Sequence, residues 1–177
     1  MRKFIFCFIG CFIAISLFAN NEEWGIYPDA GFGNAKITIE STKKNDDELM
    51  IFYSEIHGIY GFLLSDKIKV PAKDKSKIIM GKIEILFPDN QKLNAEGIIK
   101  RNKDIWILDI ATENKNEIFL KIFKEKVFVV NISFHSESSD NKKNNIQKNI
   151  DFRQSYSNLS SDGKLIIENV LNKLQSE

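Results

Sequence analysis

The sequence predicts a mainly β protein: an antiparallel β-sandwich or partly open barrel with a C-terminal α-helix. Three observations carry that prediction. Apolar residues recur at period two through most of the chain, the connectors between these segments are short and polar, and only the last stretch has helical spacing.

The N-terminus has the three parts of a secretory signal. Arg2 and Lys3 supply the positive charge, Phe4 to Phe18 is an apolar run broken only by Gly10 and Ser16, and Leu17-Phe18-Ala19 offers a small residue before the cut. Polar Asn20, Asn21, Glu22 and Glu23 follow, so the expected mature chain starts at Asn20. Two alternatives stay open. The segment is retained as an anchor, although its 15 apolar-run residues fall short of the roughly 20 a spanning helix needs. Or Cys11 is lipidated after Phe8-Ile9-Gly10, which would leave apolar Phe12 to Phe18 on the mature side. Beyond this segment the sequence contains no run suited to a transmembrane helix.

Removing 19 of 177 residues leaves 158, enough for a domain that buries roughly 68–70% of its unfolded surface. Cleavage removes both cysteines, Cys7 and Cys11, and with them any disulfide, thiol nucleophile or thiolate metal site. It also takes Arg2 and Lys3, leaving 23 basic against 24 acidic side chains, a net charge of −1. A nucleic-acid partner is not expected from so balanced a chain.

Along the mature chain, Lys36 to Glu40 alternates, Leu49 to Tyr53 and Gly58 to Leu64 are apolar on both faces, and Ile83, Ile85 and Phe87 share a face opposite Lys82 and Glu84. Ile98-Ile99 is a weaker segment. Ile105 to Ile110, Ile118 to Phe123 and Val127 to Phe134 read as the clearest strands; in the last, Phe128, Val130, Ile132 and Phe134 oppose Asn131 and Ser133. The connectors Pro88–Lys92, Arg101–Asp104, Glu113–Glu117 and Lys124–Lys126 are hairpin-sized, so Ile78 to Phe134 reads as an antiparallel meander. Strands apolar on both faces argue for two packed layers or a closed sheet. A membrane β-barrel is disfavoured by the short strands, the lysine-bearing turns on both sides and the terminal helix.

The domain plan is a signal at 1–19, an antiparallel β domain at 20–135, a polar linker at 136–150 and a C-terminal segment at 151–177. The linker reading rests on the serines, asparagines and lysines of Ser136 to Asn149. The helix rests on Ile167, Val170, Leu171 and Leu174, with Leu165 and Ile166 widening the stripe and Ser160, Ser161 or Asp162 as caps.

The search for chemistry is largely negative. His57 and His135 stand alone, without the further ligands a zinc site needs. No Gly-x-Ser-x-Gly or Ser-x-x-Lys motif occurs, and Gly25, Gly31 and Gly33 around Tyr27-Pro28-Asp29 lack the Lys-Ser/Thr ending of a phosphate loop. Asp46-Asp47-Glu48 lacks calcium-loop spacing. Asp104 and Asp109 stand apart, and Asp109, within an apolar strand, is expected to face solvent. No cofactor is expected. Trp24, Tyr27, Phe32, Tyr60 and Trp106 could line a ligand or partner surface; Trp24, Tyr27, Tyr60 and Trp106 are the candidates kept.

Trp24 soon after the signal, the apolar strand Leu49 to Tyr53, the strand-turn series Ile83 to Phe134 and the ending Phe152…Leu159…Ile166-Ile167…Leu171…Leu174 resemble small periplasmic β-sandwich proteins of the invasion-associated protein B type and the related type VI secretion accessory proteins. The cysteines common in those families are missing, and no functional residue carries over. The resemblance implies a non-enzymatic envelope or surface protein.

The expected function is thus an exported, non-enzymatic module that binds another envelope component, an envelope protein being the candidate partner. Two alternatives remain: a sandwich or barrel binding a small lipid or sugar in a cavity near Trp24, Tyr60 or Trp106, and a hydrolase with two carboxylates dispersed in sequence but close in one cleft.

Overall fold

Alternation does put one face of each strand into a shared interior. The structure, a computed structural model, describes residues 24–29, 34–41, 47–56, 58–65, 79–102, 105–110, 113–135 and 143–176. The expected signal with Cys7 and Cys11, and Phe32, His57, Asp46, Asp104 and residues 136–142, lie outside them. The strands are β1 (Trp24–Pro28), β2 (Ala35–Ser41), β3 (Asp47–Ser54), β4 (Gly58–Ser65), β5 (Ile79–Leu86), β6 (Lys92–Asn102), β7 (Ile105–Ile110), β8 (Val127–His135) and β9 (Lys143–Asp151). The helices are α1 (Lys115–Glu125), α2 (Arg153–Ser157) and α3 (Ser161–Ser176).

All nine strands join one antiparallel sheet in the order β1-β2-β3-β4-β7-β6-β5-β8-β9. The sheet curls until its ends meet, giving a nearly closed barrel. The closure uses side chains. The Trp24 indole N–H donates to the main-chain oxygen of Asn149 at 2.7 Å, and the Ile26 N–H donates to Ser155 Oγ at 2.9 Å. These bonds satisfy backbone groups that an open edge would expose.

Inside lie Ile37, Ile39, Leu63, Ile85, Ile99 and Phe128, all essentially inaccessible to solvent. Gly97 faces the same interior, where a Cβ would stand 2.6 Å from Leu108 Cδ1 and 2.8 Å from Ile83 Cδ1. Glycine here gives β6 the room to pass under two large side chains. Where β3, β7 and β9 finish, α1 closes the barrel with Ile118, Phe119, Ile122 and Phe123. Phe119 packs on Tyr53 and Phe123, and Phe123 on Phe152, with ring centroids 5.5, 4.8 and 5.6 Å apart. On the outer side of α1, Lys121 bonds Asp89 and Glu125 and lies over the Phe87 ring, clasping the helix to the β5–β6 turn.

The structure corrects the sequence reading in four places. Ile118 to Phe123 is helical: its buried residues fall at i, i+1, i+4 and i+5, one face of a helix, and a six-residue apolar run does not separate the two periods. The connector expected at Glu113–Glu117 is the approach to this helix and its first turn. The meander is interrupted, since β8 pairs with β5 rather than β7 after α1 crosses the barrel end. The expected linker contains β9, which pairs with β8 from Lys143 to Asp151 and buries Ile146 and Ile150. A strand that faces solvent on one side needs few apolar residues, and β9 has just enough. The terminal helix is borne out, with Ile167, Val170 and Leu174 buried and the Gly163 N–H capped by Ser160 Oγ at 3.1 Å; Leu165, however, is exposed. No described helix is long and apolar enough to cross a membrane.

Candidate functional site

The pleat decides where the four aromatic candidates point. Trp106 lies opposite Leu63 in the β4–β7 register, and both face inward; Trp24 is likewise buried. Tyr60 lies opposite Asp109, outside, where its ring stacks on Phe52 at 5.5 Å. Tyr27 is also outside and 41% exposed. The expected common aromatic surface does not form: two candidates belong to the core and two to the outer wall. Asp109 faces outward as expected, 4.0 Å from Lys100. Burial, with the Asp109 charge beside it, raises the pKa of the Tyr60 hydroxyl. The backbone of His135 ends β8.

The outer wall has two characters. Over β3, β4 and β7 it carries Met50, Phe52, Phe62, Leu64 and Ile107, half-buried or buried, with a dimple of 140 Å³ beside Glu40 and Glu48. Over β6, β5, β8 and β9 it is polar and forms a groove of 1260 Å³.

Strand register sets out the groove as a grid. One row runs Asn94, Glu84, Asn131, Gln147 across β6, β5, β8 and β9; the next runs Glu96, Lys82, Ser133, Asn145. Glu113 and Asn114, just before α1, border it on the β6 side. With strands about 4.8 Å apart, each row spans about 14 Å. Inside the grid Glu84 is ion-paired with Lys92 and accepts a bond from Asn131 Nδ2 at 3.4 Å. The Lys92 hydrogen bond is the main reason its carboxyl lies below the usual range. Among the described residues, no hydrogen bond or ion pair takes up the side chains of Asn94, Ser133, Asn145 or Gln147. These groups offer amide donors, amide acceptors and a hydroxyl to whatever occupies the groove.

Sequence reasoning missed this site although half its signal was visible. Lys82, Glu84, Asn131 and Ser133 stood out as the polar faces of two strands. The missing half was β9, read as linker, which adds Asn145 and Gln147, and the first part of β6, of which only Ile98-Ile99 was read as a segment, which adds Asn94 and Glu96. Among the described residues no group of three or more His, Cys, Asp or Glu is placed to hold a metal.

Fold and groove together define a class: a nine-stranded antiparallel barrel, filled inside, plugged by helices at one end and bearing a polar groove on its outer wall. Set against known proteins, the chain matches no family model, no curated protein and no solved structure.

Proposed function

We propose that this chain is an exported binding module that holds an envelope component in the groove across β6, β5, β8 and β9. One observation carries the reading: polar side chains from four strands are gathered in one groove while the barrel interior is filled by packed apolar side chains. The groove volume also exceeds the roughly 300–1,000 Å³ of a typical small-molecule pocket, which suits an extended occupant. The secretory features of the N-terminus and the resemblance to periplasmic β-sandwich proteins support the compartment. Glu84, held ionised by its hydrogen bond to Lys92, is poorly suited to act as a general acid and well suited to accept hydrogen bonds.

The hydrolase reading keeps one observation in its favour, since Glu84, Glu96 and Glu113 border one groove. Glu84 and Glu96 are diagonal neighbours in the β5–β6 register, a position where residues lie about 7–8 Å apart and their Cβ atoms somewhat closer. Hydrolysis of a groove-bound substrate, abolished by both Glu84→Gln and Glu96→Gln, would replace the binding proposal.

The test is photo-crosslinking in cells with the full-length chain, placing the crosslinker at Gln147 in the groove or at Tyr27 as a control outside it. A reproducible adduct from Gln147 and not from Tyr27 supports the proposal. Equal adducts from both positions, or none from Gln147, overturn it.

A further inference from the structure

We infer that the occupant of the groove is a linear, uncharged glycan, lying across the strands; this rests on the proposed binding role. The first argument is repeat distance. A chain laid along either row meets a new polar side chain about every 4.8 Å, the strand spacing. That is close to the length of one pyranose unit, so successive sugars meet equivalent positions on successive strands.

The second argument is donor–acceptor chemistry. A sugar hydroxyl both donates and accepts, and an acetamido group does the same with an amide's geometry. Asn94, Asn145, Gln147 and Ser133 present such mixed groups, and no other described side chain takes them up. Asn131 is oriented by its bond to Glu84, which leaves its carbonyl oxygen and second N–H for a ligand.

The third argument is charge. Among the described residues Lys82, Glu84, Glu96 and Glu113 line the groove and Lys92 pairs with Glu84, so the described charge is slightly acidic and Glu84 is paired internally. Among the described side chains a polyanion would find no basic stripe. A protein partner would be expected to use large apolar or aromatic anchors, and none of the described lining residues is aromatic. Without an aromatic platform, affinity comes from hydrogen bonds and depends on several strands acting together.

The experiment uses protein expressed from its full-length chain and purified. Linear N-acetylglucosamine oligomers, a neutral unacetylated glucan and heparin are titrated while backbone amide shifts are recorded. The expected result is saturable binding of at least one neutral glycan, with shifts confined to β5, β6, β8 and β9. Asn145→Leu/Gln147→Leu should weaken it at least tenfold while leaving the thermal midpoint and the remaining amide spectrum in place. Preference for heparin, shifts spread elsewhere, an unaffected double variant, or no neutral-glycan binding at millimolar ligand would overturn the inference. A protein adduct from Gln147 alongside no glycan binding sinks the glycan and keeps the binding role; no adduct and no glycan binding sinks both.

Discussion

At the residue scale, the clearest consequences come from polar atoms whose surroundings disagree with their chemistry. Thr38 sits on β2, only 2% exposed, and its Oγ1 has no hydrogen-bond partner. An unpaired buried hydroxyl costs about 1–3 kcal/mol. Thr38→Val keeps the β-branch that suits a strand and removes the orphan group, so it should stabilise the protein by about 1 kcal/mol, read as a higher urea midpoint at unchanged slope. A fall in the midpoint would mean that the hydroxyl is satisfied in solution. Glu84 and Lys92 make the opposite case. The lowered carboxyl pKa means the pair contributes above the unfolded pKa of a glutamate, and the contribution fades as pH falls through the folded value. Both side chains are substantially solvent-accessible, so the effect is below about 1 kcal/mol. Lys92→Met should therefore be slightly less stable than the parent at pH 7, and the gap should vanish under acid. A gap that persists below the folded pKa would assign it to the packing of the lysine stem. Asp151 follows the same sign: burial pushes its carboxyl up, but the Arg153 guanidinium and backbone N–H outweigh this and hold it low.

At the element scale, α1 links sequence, packing and legibility. Its aromatic face plugs the barrel, with Phe119 fully buried between Tyr53 and Phe123. Phe119→Ala should cost about 3–5 kcal/mol, whereas Leu165→Ala, on an exposed position of α3, should change stability by less than about 0.5 kcal/mol. Similar losses at both sites would place the helices against each other differently. Strand identity was legible wherever alternation was clean: Ile83, Ile85 and Phe87, and Phe128, Val130, Ile132 and Phe134, face inward as their spacing implies. It failed where one local pattern admits two structures. Ile118 to Phe123 satisfies a two-sided strand and a helix face equally, and only the barrel end that needs sealing decides between them. β9 failed for the converse reason, because pairing with β8 supplies its order and the local sequence shows little of it. The candidate site inherited that failure, since a groove built across four strands has no signature in any one of them. The aromatic candidates failed because residue type does not reveal facing: Tyr60 and Trp106 sit on adjacent strands and point to opposite sides of the sheet.

At the scale of the whole molecule, the seam of the barrel differs from the rest of its wall. Between every other pair of neighbouring strands runs an antiparallel ladder; at the seam the Trp24 indole N–H of β1 donates to the Asn149 carbonyl of β9, and the Ile26 N–H of β1 donates to Ser155 Oγ of α2. No strand ladder among the described residues holds this seam, yet it joins the first described strand to the last strand and to α2. Local opening should therefore begin there, because the free energy of opening follows the number of contacts that must break. Trp24→Phe keeps most of the buried aromatic surface and removes one N–H, leaving a part-buried carbonyl without that donor, at a cost of about 1–3 kcal/mol. Native-state hydrogen exchange on this variant should show faster exchange for the amides of β1 and the end of β9 than in the parent. The paired centre of the sheet, β5 with β6 and β8, should keep its protection apart from a uniform shift equal to the lost global stability. Equal acceleration at every amide would show that the seam opens only with global unfolding, and the barrel would then be one cooperative unit. Selective acceleration would identify β1 with its seam as the weakest part of the wall, on the opposite side of β9 from the ladder that carries Asn145 and Gln147, so the groove would keep its geometry while the seam opens.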